Sequence, residues 1–144
     1  MSEFEFSGRH VVADVYNIAP MVINNEALIM RSLEAGIQRS GATVCGTQVK
    51  HFEPNGFTAI YLLSESHVSV HTYPGERSLF FDAFTCGQRC RPELIISELV
   101  GALGDCQHHV QVLDRGVEPE LRAKLNSEVK DKVAAEIKAA QLVS

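Results

Sequence analysis

The sequence lacks several features that would place it in a broad class of proteins. It has no apolar run approaching the roughly 18–20 residues of a transmembrane helix. Its first ten residues, MSEFEFSGRH, lack the basic and then apolar pattern of a secretory signal. It also lacks a basic surplus, because its net charge is −5, so nucleic acid and anionic membranes are poor candidates as partners. We therefore expect a cytoplasmic protein that binds neither nucleic acid nor membrane.

The sequence is also poor in the patterns that hold metals. Its four cysteines are Cys45, Cys86, Cys90 and Cys106, and no two of them form a CxxC pair. Structural zinc sites usually draw on closely spaced cysteines, and isolated cysteines of a cytoplasmic protein stay reduced. We therefore expect free thiols and no metal site.

What is present indicates one α+β domain. The chain has 144 residues, of which 45% are hydrophobic and 22% charged, enough for one sizeable core. Periodicity predicts the order β-α-β-β-β-β-α-β-α. The predicted strands are 10–17, 43–52, 57–63, 66–72, 78–85 and 108–113, and the predicted helices are 25–40, 92–103 and 118 onward. Clustered strands with short connections favour an antiparallel sheet with helices packed on one face.

Two local signals and a terminal repeat of apolar positions support the helices. Asn24 or Asn25 can cap the first helix through its side-chain oxygen, and Gly41 can end it. In the terminal helix the apolar positions recur every four residues; they are Leu121, Leu125, Val129, Val133 and Ile137. This helix is expected to pack on the domain surface, and binding of a partner is the alternative. We divide the chain into a domain of residues 1–115 and a helical extension of residues 116–144.

One stretch concentrates reactive side chains. Residues 64–74, SESHVSVHTYP, place serines, histidines and a carboxylate beside an apolar strand, and the next strand ends in TCG at 85–87. Polar groups at the ends of neighbouring strands can converge on one pocket. Residue chemistry alone allows Ser66 or Cys86 as nucleophile with His71 as base, although no GxSxG elbow is present. The alternative is a half-exposed strand whose polar residues face water.

This stretch closely resembles a known family. ESHVSVHTYP at 65–74 and FFDAFTCG at 80–87 are similar to the signature ESHxSxHTWPE…DxFTCG of the prokaryotic S-adenosylmethionine decarboxylase proenzymes. The segments GRH at 8–10 and HFEPNG at 51–56 also resemble the family, so the resemblance covers about residues 7–113. It implies half of an αββα sandwich and a pyruvoyl-dependent decarboxylase that makes its own cofactor, and it does not account for the helical tail after about residue 115.

The resemblance implies self-cleavage at Ser66. In this reading the Ser66 hydroxyl attacks the carbonyl of Glu65, and the chain divides into a β chain of residues 1–65 and an α chain of residues 66–144 that begins with a pyruvoyl group. His71 would remove the Ser66 α-proton. Thr58 stands where the family has a serine that positions the ester intermediate. The pyruvoyl ketone is an electron sink that ordinary side chains do not provide.

The resemblance also implies how the substrate is processed. A small-molecule substrate with an amino group would form a Schiff base with the pyruvoyl group and lose CO₂. Cys86 would then return a proton to the carbanion, for which a mostly protonated thiol is suited. Phe52 matches an aromatic residue that stacks on adenine. Glu65 and His67 flank the cleaved bond and are expected to shape the pocket.

The match departs from the family on both sides of Pro74. The family's tryptophan and glutamate are here Tyr73 and Gly75. The missing glutamate is the expected partner of the ribose hydroxyls, and a charge-assisted hydrogen bond contributes roughly 1.5–3 kcal/mol. Glu76 is adjacent, but on an extended chain a shift of one residue turns the side chain to the other face.

Three functions remain open. S-adenosylmethionine decarboxylation for spermidine synthesis comes first. Loss of the glutamate leaves an ornithine or arginine decarboxylase as the alternative. A catalytically inactive regulatory paralogue is the alternative of another class, although such a protein has no chemical need for Ser66, His71 and Cys86 together. A single sheet with one bare face is expected to form a symmetric (αβ)₂ homodimer.

Overall fold

A computed structural model describes residues 6–87 and 89–143, with the side chains of 122, 123, 125–127 and 143 outside that description. The described strands are β1 (Gly8–Tyr16), β2 (Gly46–His51), β3 (Phe57–Leu62), β4 (His67–Tyr73), β5 (Ser78–Cys86) and β6 (Gln107–Arg115). The described α-helices are α1 (Pro20–Ile23), α2 (Glu26–Ser40), α3 (Glu93–Leu103) and α4 (Pro119–Val143). This is the predicted order with the short helix α1 added.

All six strands form one antiparallel sheet in the order β2-β3-β4-β5-β1-β6. Consecutive strands from β2 to β5 are neighbours, as their short connections predict, whereas β1 lies between β5 and β6. The expected antiparallel sheet is therefore confirmed. Strand β4, which carries most of the motif, pairs with β3 on one side and β5 on the other.

Helix α2 begins and ends where its local sequence predicts. The Asn25 side chain accepts a hydrogen bond from the Leu28 N–H at 3.1 Å, which satisfies a backbone donor that the first turn leaves free. Gly41 follows the last turn with φ 93°, a left-handed conformation that costs glycine little. Both ends of α2 are thus fixed by single residues.

The core lies between one face of the sheet and the helices. Alternate residues of the strands point into it, so that Val11, Ala13 and Val15 of β1 are all fully buried. They join Leu33 of α2 and Leu99 of α3 in one cluster. The predicted packing of helices on one face of the sheet is confirmed.

The opposite surface of the sheet, which we call the open face, carries the other alternate residues. Those used below are His10 of β1, Thr58, Ile60 and Leu62 of β3, His67, Ser69 and His71 of β4, and Phe80, Asp82, Phe84 and Cys86 of β5. Ile60, Leu62 and Phe80 are 46%, 53% and 47% exposed. An apolar surface of this kind on a sheet is a common place for another chain to dock.

Helix α4 packs against α3 and β6. Val129, Val133 and Ile137 are buried in the core cluster, whereas Leu121 is half exposed and the side chain of Leu125 lies outside the described residues. No helix in the described part of the chain is long and apolar enough to cross a membrane.

The cover that α4 provides also explains the burial of α3. The sequence predicts a single apolar face on α3, formed by Leu94, Ile95, Leu99, Ala102 and Leu103. In the structure Ile96 and Val100 are also fully buried. Helix α3 is therefore enclosed between α2 and α4. Its apolar residues extend beyond the single face that the sequence predicts.

Candidate active site

Ser66 lies in the tight connection between β3 and β4. The Leu63 N–H donates to the Ser66 carbonyl oxygen at 2.8 Å across this connection, and Ser64 takes a left-handed conformation with φ 70° that lets the chain reverse. Ser66 itself is 9% exposed. The Glu65–Ser66 peptide bond is therefore held in a turn at the ends of two interior strands.

Cys86 contacts both sides of this peptide bond. Its backbone N–H donates to the Ser66 hydroxyl oxygen at 3.1 Å, and its thiol sulfur lies 3.4 Å from the Glu65 carbonyl oxygen. A thiol is a weak hydrogen-bond donor, so this contact draws electron density from the Glu65 carbonyl. The hydroxyl that would attack and the carbonyl that would be attacked are thus held by one residue at the end of β5.

His71 and Thr58 form a second group at the other end of β4. Thr58 pairs with His71 across β3 and β4, and its hydroxyl oxygen lies 3.0 Å from His71 Nδ1. His71 is five residues beyond Ser66, and five residues of extended chain span about 16 Å. Within one chain, the structure does not bring the His71 imidazole to the Ser66 hydroxyl.

The predicted substrate-binding residues gather around His71. A cleft of about 530 Å³ is lined by Phe52, Thr58, His71, Tyr73, Gly75 and Glu76, among others. This volume suits a small ligand. The Tyr73 ring packs at 5.0 Å from the ring of Phe80, which fixes one wall. Glu65 and His67, which were also predicted to bind substrate, do not line this cleft and lie instead beside Ser66.

The position of Glu76 corrects one expectation. On the extended chain that the sequence predicts here, Gly75 and Glu76 would face opposite sides. Residues Pro74–Glu76 instead form a 3₁₀ turn, and both Gly75 and Glu76 line the cleft. Glu76 therefore lines the same cleft as Gly75, one residue beyond the position of the family glutamate.

A cluster of polar side chains that the sequence analysis did not identify lies beside Ser66. The Asp82 carboxylate oxygen Oδ2 is 2.7 Å from His10 Nε2 and 2.8 Å from His67 Nε2, and Ser69 donates to Oδ1. Burial acts to raise the pKa of Asp82, but the hydrogen bonds from Ser69, His10 and His67 together hold that pKa below its ordinary value. Asp82 is therefore an anion at neutral pH.

A weak sequence signal pointed to this cluster. Asp82 is four residues before Cys86, and Ser69 and His67 alternate with valines on β4, so all three belong to one face of a sheet if the two strands pair. His10 reaches the cluster only because β1 pairs with β5. His10 and Asp82 are 72 positions apart in the sequence. No local pattern predicts that pairing.

The remaining cysteines and His108 are not among the groups that contact Ser66 or His71 in the described part of the chain, although Cys90 lies near Cys86. Cys45 is exposed. Burial, and secondarily Asp105, raises the pKa of the Cys106 thiol; burial, and secondarily Cys86, raises that of Cys90. Burial lowers the pKa of His108. Cys90 and Cys106 are therefore thiols and His108 a neutral imidazole at neutral pH, in keeping with a structural role.

Comparison with known proteins identifies relatives over most of the chain. The sequence model of the family described as S-adenosylmethionine decarboxylase matches residues 9–116. A protein of Brevibacillus brevis named S-adenosylmethionine decarboxylase proenzyme is 35% identical over 126 residues, covering 83% of this chain and 95% of the relative. A proenzyme of the same name from Archaeoglobus fulgidus is 33% identical over 109 residues, covering 76% and 97%.

A solved structure shares the fold. The crystal structure of the adenosylmethionine decarboxylase from Aquifex aeolicus superposes with a TM-score of 0.70 at 27% identity, covering 81% of this chain and 96% of that one. The family match ends at residue 116, before α4 begins at Pro119. The resemblance read from the motif is confirmed.

Proposed function

The chain belongs to the S-adenosylmethionine decarboxylase family, and from that premise we propose that it cuts itself between Glu65 and Ser66 and then decarboxylates S-adenosylmethionine. The observation that carries the proposal is the double contact of Cys86, with the Ser66 hydroxyl at 3.1 Å and the Glu65 carbonyl at 3.4 Å. These are the two groups that must react for the chain to cleave itself at a serine. The relatives' name, proenzyme, supports such a cleavage.

Cleavage begins with the groups that Cys86 holds. The Ser66 Oγ bonds to the Glu65 carbonyl carbon, the amide C–N bond breaks, and the hydroxyl proton passes to the released amine. The product is an ester between Glu65 and the Ser66 side chain. The Cys86 thiol donates to the Glu65 oxygen as negative charge develops on it, which is the role of a preorganised oxyanion donor.

The second step needs a base at the Ser66 α-carbon. Removal of the α-proton breaks the Cβ–Oγ bond and releases the Glu65 carboxylate, leaving dehydroalanine at position 66. The enamine becomes an imine, and water hydrolyses it to a ketone and ammonia. His71 is the proposed base. When Thr58 accepts from Nδ1–H, the Nε2 lone pair of His71 is free to take the proton.

A second copy of the chain supplies this base. His71 is about 16 Å from Ser66 along β4, too far for proton transfer within one chain. In a symmetric dimer each contact is made twice, so the start of β4 in one copy can meet the end of β4 in the other. The exposed Ile60, Leu62 and Phe80 make the open face the proposed interface. Each dimer then holds two equal sites, in keeping with an (αβ)₂ assembly.

The same arrangement serves decarboxylation. A pyruvoyl group at position 66 fits the site, because Ser66 is enclosed in its turn and touches Cys86. That group would supply the electron sink for the electron pair left when CO₂ departs. Cys86 holds a proton on its sulfur next to position 66 and delivers it to the substrate carbon. Phe52 and Tyr73 of the second copy offer aromatic surfaces to the adenine.

S-adenosylmethionine is favoured over ornithine or arginine as substrate. The relatives described above carry S-adenosylmethionine decarboxylase names, which gives the other substrates and the regulatory paralogue no support. The cleft supplies aromatic rings for a base and the Glu76 carboxylate for ribose hydroxyls. Ornithine and arginine have no aromatic base that could stack on the rings of Phe52 and Tyr73.

Release of labelled CO₂ tests the proposal. Purified protein is incubated separately with carboxyl-labelled S-adenosylmethionine, ornithine and arginine. The expected result is release from S-adenosylmethionine alone, with none from Ser66→Ala and undiminished release from Ser64→Ala, which removes an equivalent hydroxyl from the same turn. Release only from ornithine or arginine would refute the substrate assignment, and release from none would refute the enzyme.

A further inference from the structure

The Asp82 cluster has no part in the reaction as described above. Asp82 lies on β5 between strands β4 and β1, and its carboxylate joins side chains from both of them. One of these partners, His67, is the residue directly after Ser66. Strand β5 ends at Cys86, four residues after Asp82 and on the same face. The cluster therefore links the residue that follows Ser66 to the strand that ends in Cys86, the residue that contacts the scissile bond.

The protons of the cluster can be assigned from its partners. A guanidinium group only donates hydrogen bonds, so the contact of 3.4 Å between Arg115 and His10 Nδ1 makes Nδ1 an acceptor. The proton of His10 is then on Nε2, where it is donated to Asp82. His67 Nε2 faces the same carboxylate oxygen and must also carry a proton. One anion thus accepts from two imidazoles and a hydroxyl.

The positions of these protons decide whether the cluster is a metal site or a hydrogen-bonded network. The three ligand atoms of His10, His67 and Asp82 lie within 4.8 Å of one another, close enough for a metal ion. A metal on His10 Nε2 would move that proton to Nδ1, where it would face the donors of Arg115. The hydrogen-bonded form has no such conflict. The cluster is therefore a hydrogen-bonded network of His10, His67, Ser69 and Asp82, which we call the brace.

We propose that Asp82 is a positioning residue for self-cleavage, which fixes the Glu65–Ser66 bond against Cys86 by holding His67. The inference rests on the proposed self-cleavage. The turn that contains Ser66 has one cross-turn backbone hydrogen bond, from Leu63, and its next residue on the β4 side is His67. Fixing the His67 ring to β5 therefore fixes the start of β4 relative to the end of β5. Reaction rates are sensitive to such placement, and a displacement of about 1 Å can slow a step roughly a hundredfold.

Ring contacts hold the brace in place. The His10 and His67 rings meet edge to face at 5.8 Å, and both pack against Phe84, at 5.6 and 6.3 Å. The Arg115 guanidinium lies 5.9 Å from the centre of the Phe84 ring. The imidazoles therefore have little freedom to leave Asp82 while it is ionised. Asparagine at position 82 would present an amide NH₂ or a single acceptor to three donors, so at least one hydrogen bond must be lost.

The test separates positioning from a general loss of structure. The rate of self-cleavage is followed by intact mass for the wild type, Asp82→Asn and Asp131→Asn. Asp131 is exposed on α4, on the helical side of the sheet and away from the open face, and undergoes the same chemical change. We expect Asp82→Asn to cleave roughly ten- to a hundredfold more slowly, and Asp131→Asn to cleave at the wild-type rate. Equal rates for all three proteins would overturn the proposal.

Two further measurements exclude misfolding as the cause. Hydroxylamine cuts esters, so it reveals whether the first step has occurred. His71→Ala should accumulate a hydroxylamine-cleavable ester, whereas Asp82→Asn should not, because its defect precedes the ester. His10→Gln keeps an N–H donor and should recover most of the rate that His10→Ala loses. Accumulated ester in Asp82→Asn, or equal loss in both His10 variants, would contradict positioning. A wild type that does not cleave would refute the proposed function instead.

Discussion

Mixing two inactive variants tests whether the active site is shared between copies. Ser66→Ala lacks the hydroxyl that attacks, and His71→Ala lacks the base. In a mixed dimer, Ser66 of the His71→Ala chain meets His71 of the Ser66→Ala chain, so one site is complete and the other lacks both groups. Neither variant should cleave by itself. Co-expression is therefore expected to restore cleavage of the His71→Ala chain alone.

The extent of cleavage follows from the symmetry of the dimer. Random pairing of equal amounts places about half of the His71→Ala chains in mixed dimers, so about a quarter of all chains should be cut. A tag on one variant identifies the cleaved chain by mass. Ser66→Ala co-expressed with Cys86→Ala is the matched control. Because Ser66 and Cys86 act within one chain, this pair should not recover decarboxylation.

The distance between Ser66 and His71 along β4 means that the co-expression experiment gives a clear answer. Ser66 and His71 are about 16 Å apart in one chain, and a proton transfer requires contact or one bridging water. Absence of cleavage in the co-expressed Ser66→Ala and His71→Ala pair, with mixed dimers present, would refute the shared site. Rapid cleavage by a wild-type monomer would refute it as well.

Four other variants test separate parts of the account. Cys86→Ser keeps a donor at the Glu65 carbonyl but is a far weaker acid, so cleavage should continue while CO₂ release falls roughly 10²- to 10⁴-fold. Ile60→Asp places a charge on the open face and should give a monomer of 15.8 kDa by native sizing, without cleavage. Glu76→Gln should raise the KM for S-adenosylmethionine about tenfold, since a charge-assisted hydrogen bond contributes about 1.5–3 kcal/mol; an unchanged KM would count against Glu76. Burial raises the pKa of Asp82 and its hydrogen bonds lower it, and the net effect is a lowering. The contribution of Asp82 to the stability of the folded protein is therefore complete above about pH 4 and is lost as the pH falls through the folded-state pKa. Acid unfolding curves of the wild type and Asp82→Asn should accordingly converge at low pH, and a constant difference would contradict this.

Local signals in the sequence were sufficient for most of the fold. The pair Asn24-Asn25 and Gly41 predicted the two ends of α2, because a side-chain cap and a left-handed residue act within a few positions of themselves; the structure assigns the cap to Asn25. Alternation predicted β4 and β5, and their short connections predicted the antiparallel pairing. The motif also predicted that Ser66 and Cys86 would meet, at the ends of adjacent strands.

The rest depended on contacts between distant parts of the chain. The place of β1 between β5 and β6 brings His10 to Asp82, and periodicity says nothing about which strands become neighbours. Residues Pro74–Glu76 form a 3₁₀ turn where an extended chain was expected, and Glu76 therefore lines the same cleft as Gly75. The separation of Ser66 from His71, by contrast, was already present in their spacing, since five residues on a strand cannot be close neighbours.

The intact mass of the purified protein shows directly whether it cuts itself between Glu65 and Ser66. We expect two chains, residues 1–65 and residues 66–144, with the second lighter by one ammonia than a chain that begins with serine. Ser66→Ala should remain whole. A wild-type protein that stays a single chain of 15.8 kDa, or that is cut at any other bond, would contradict the account.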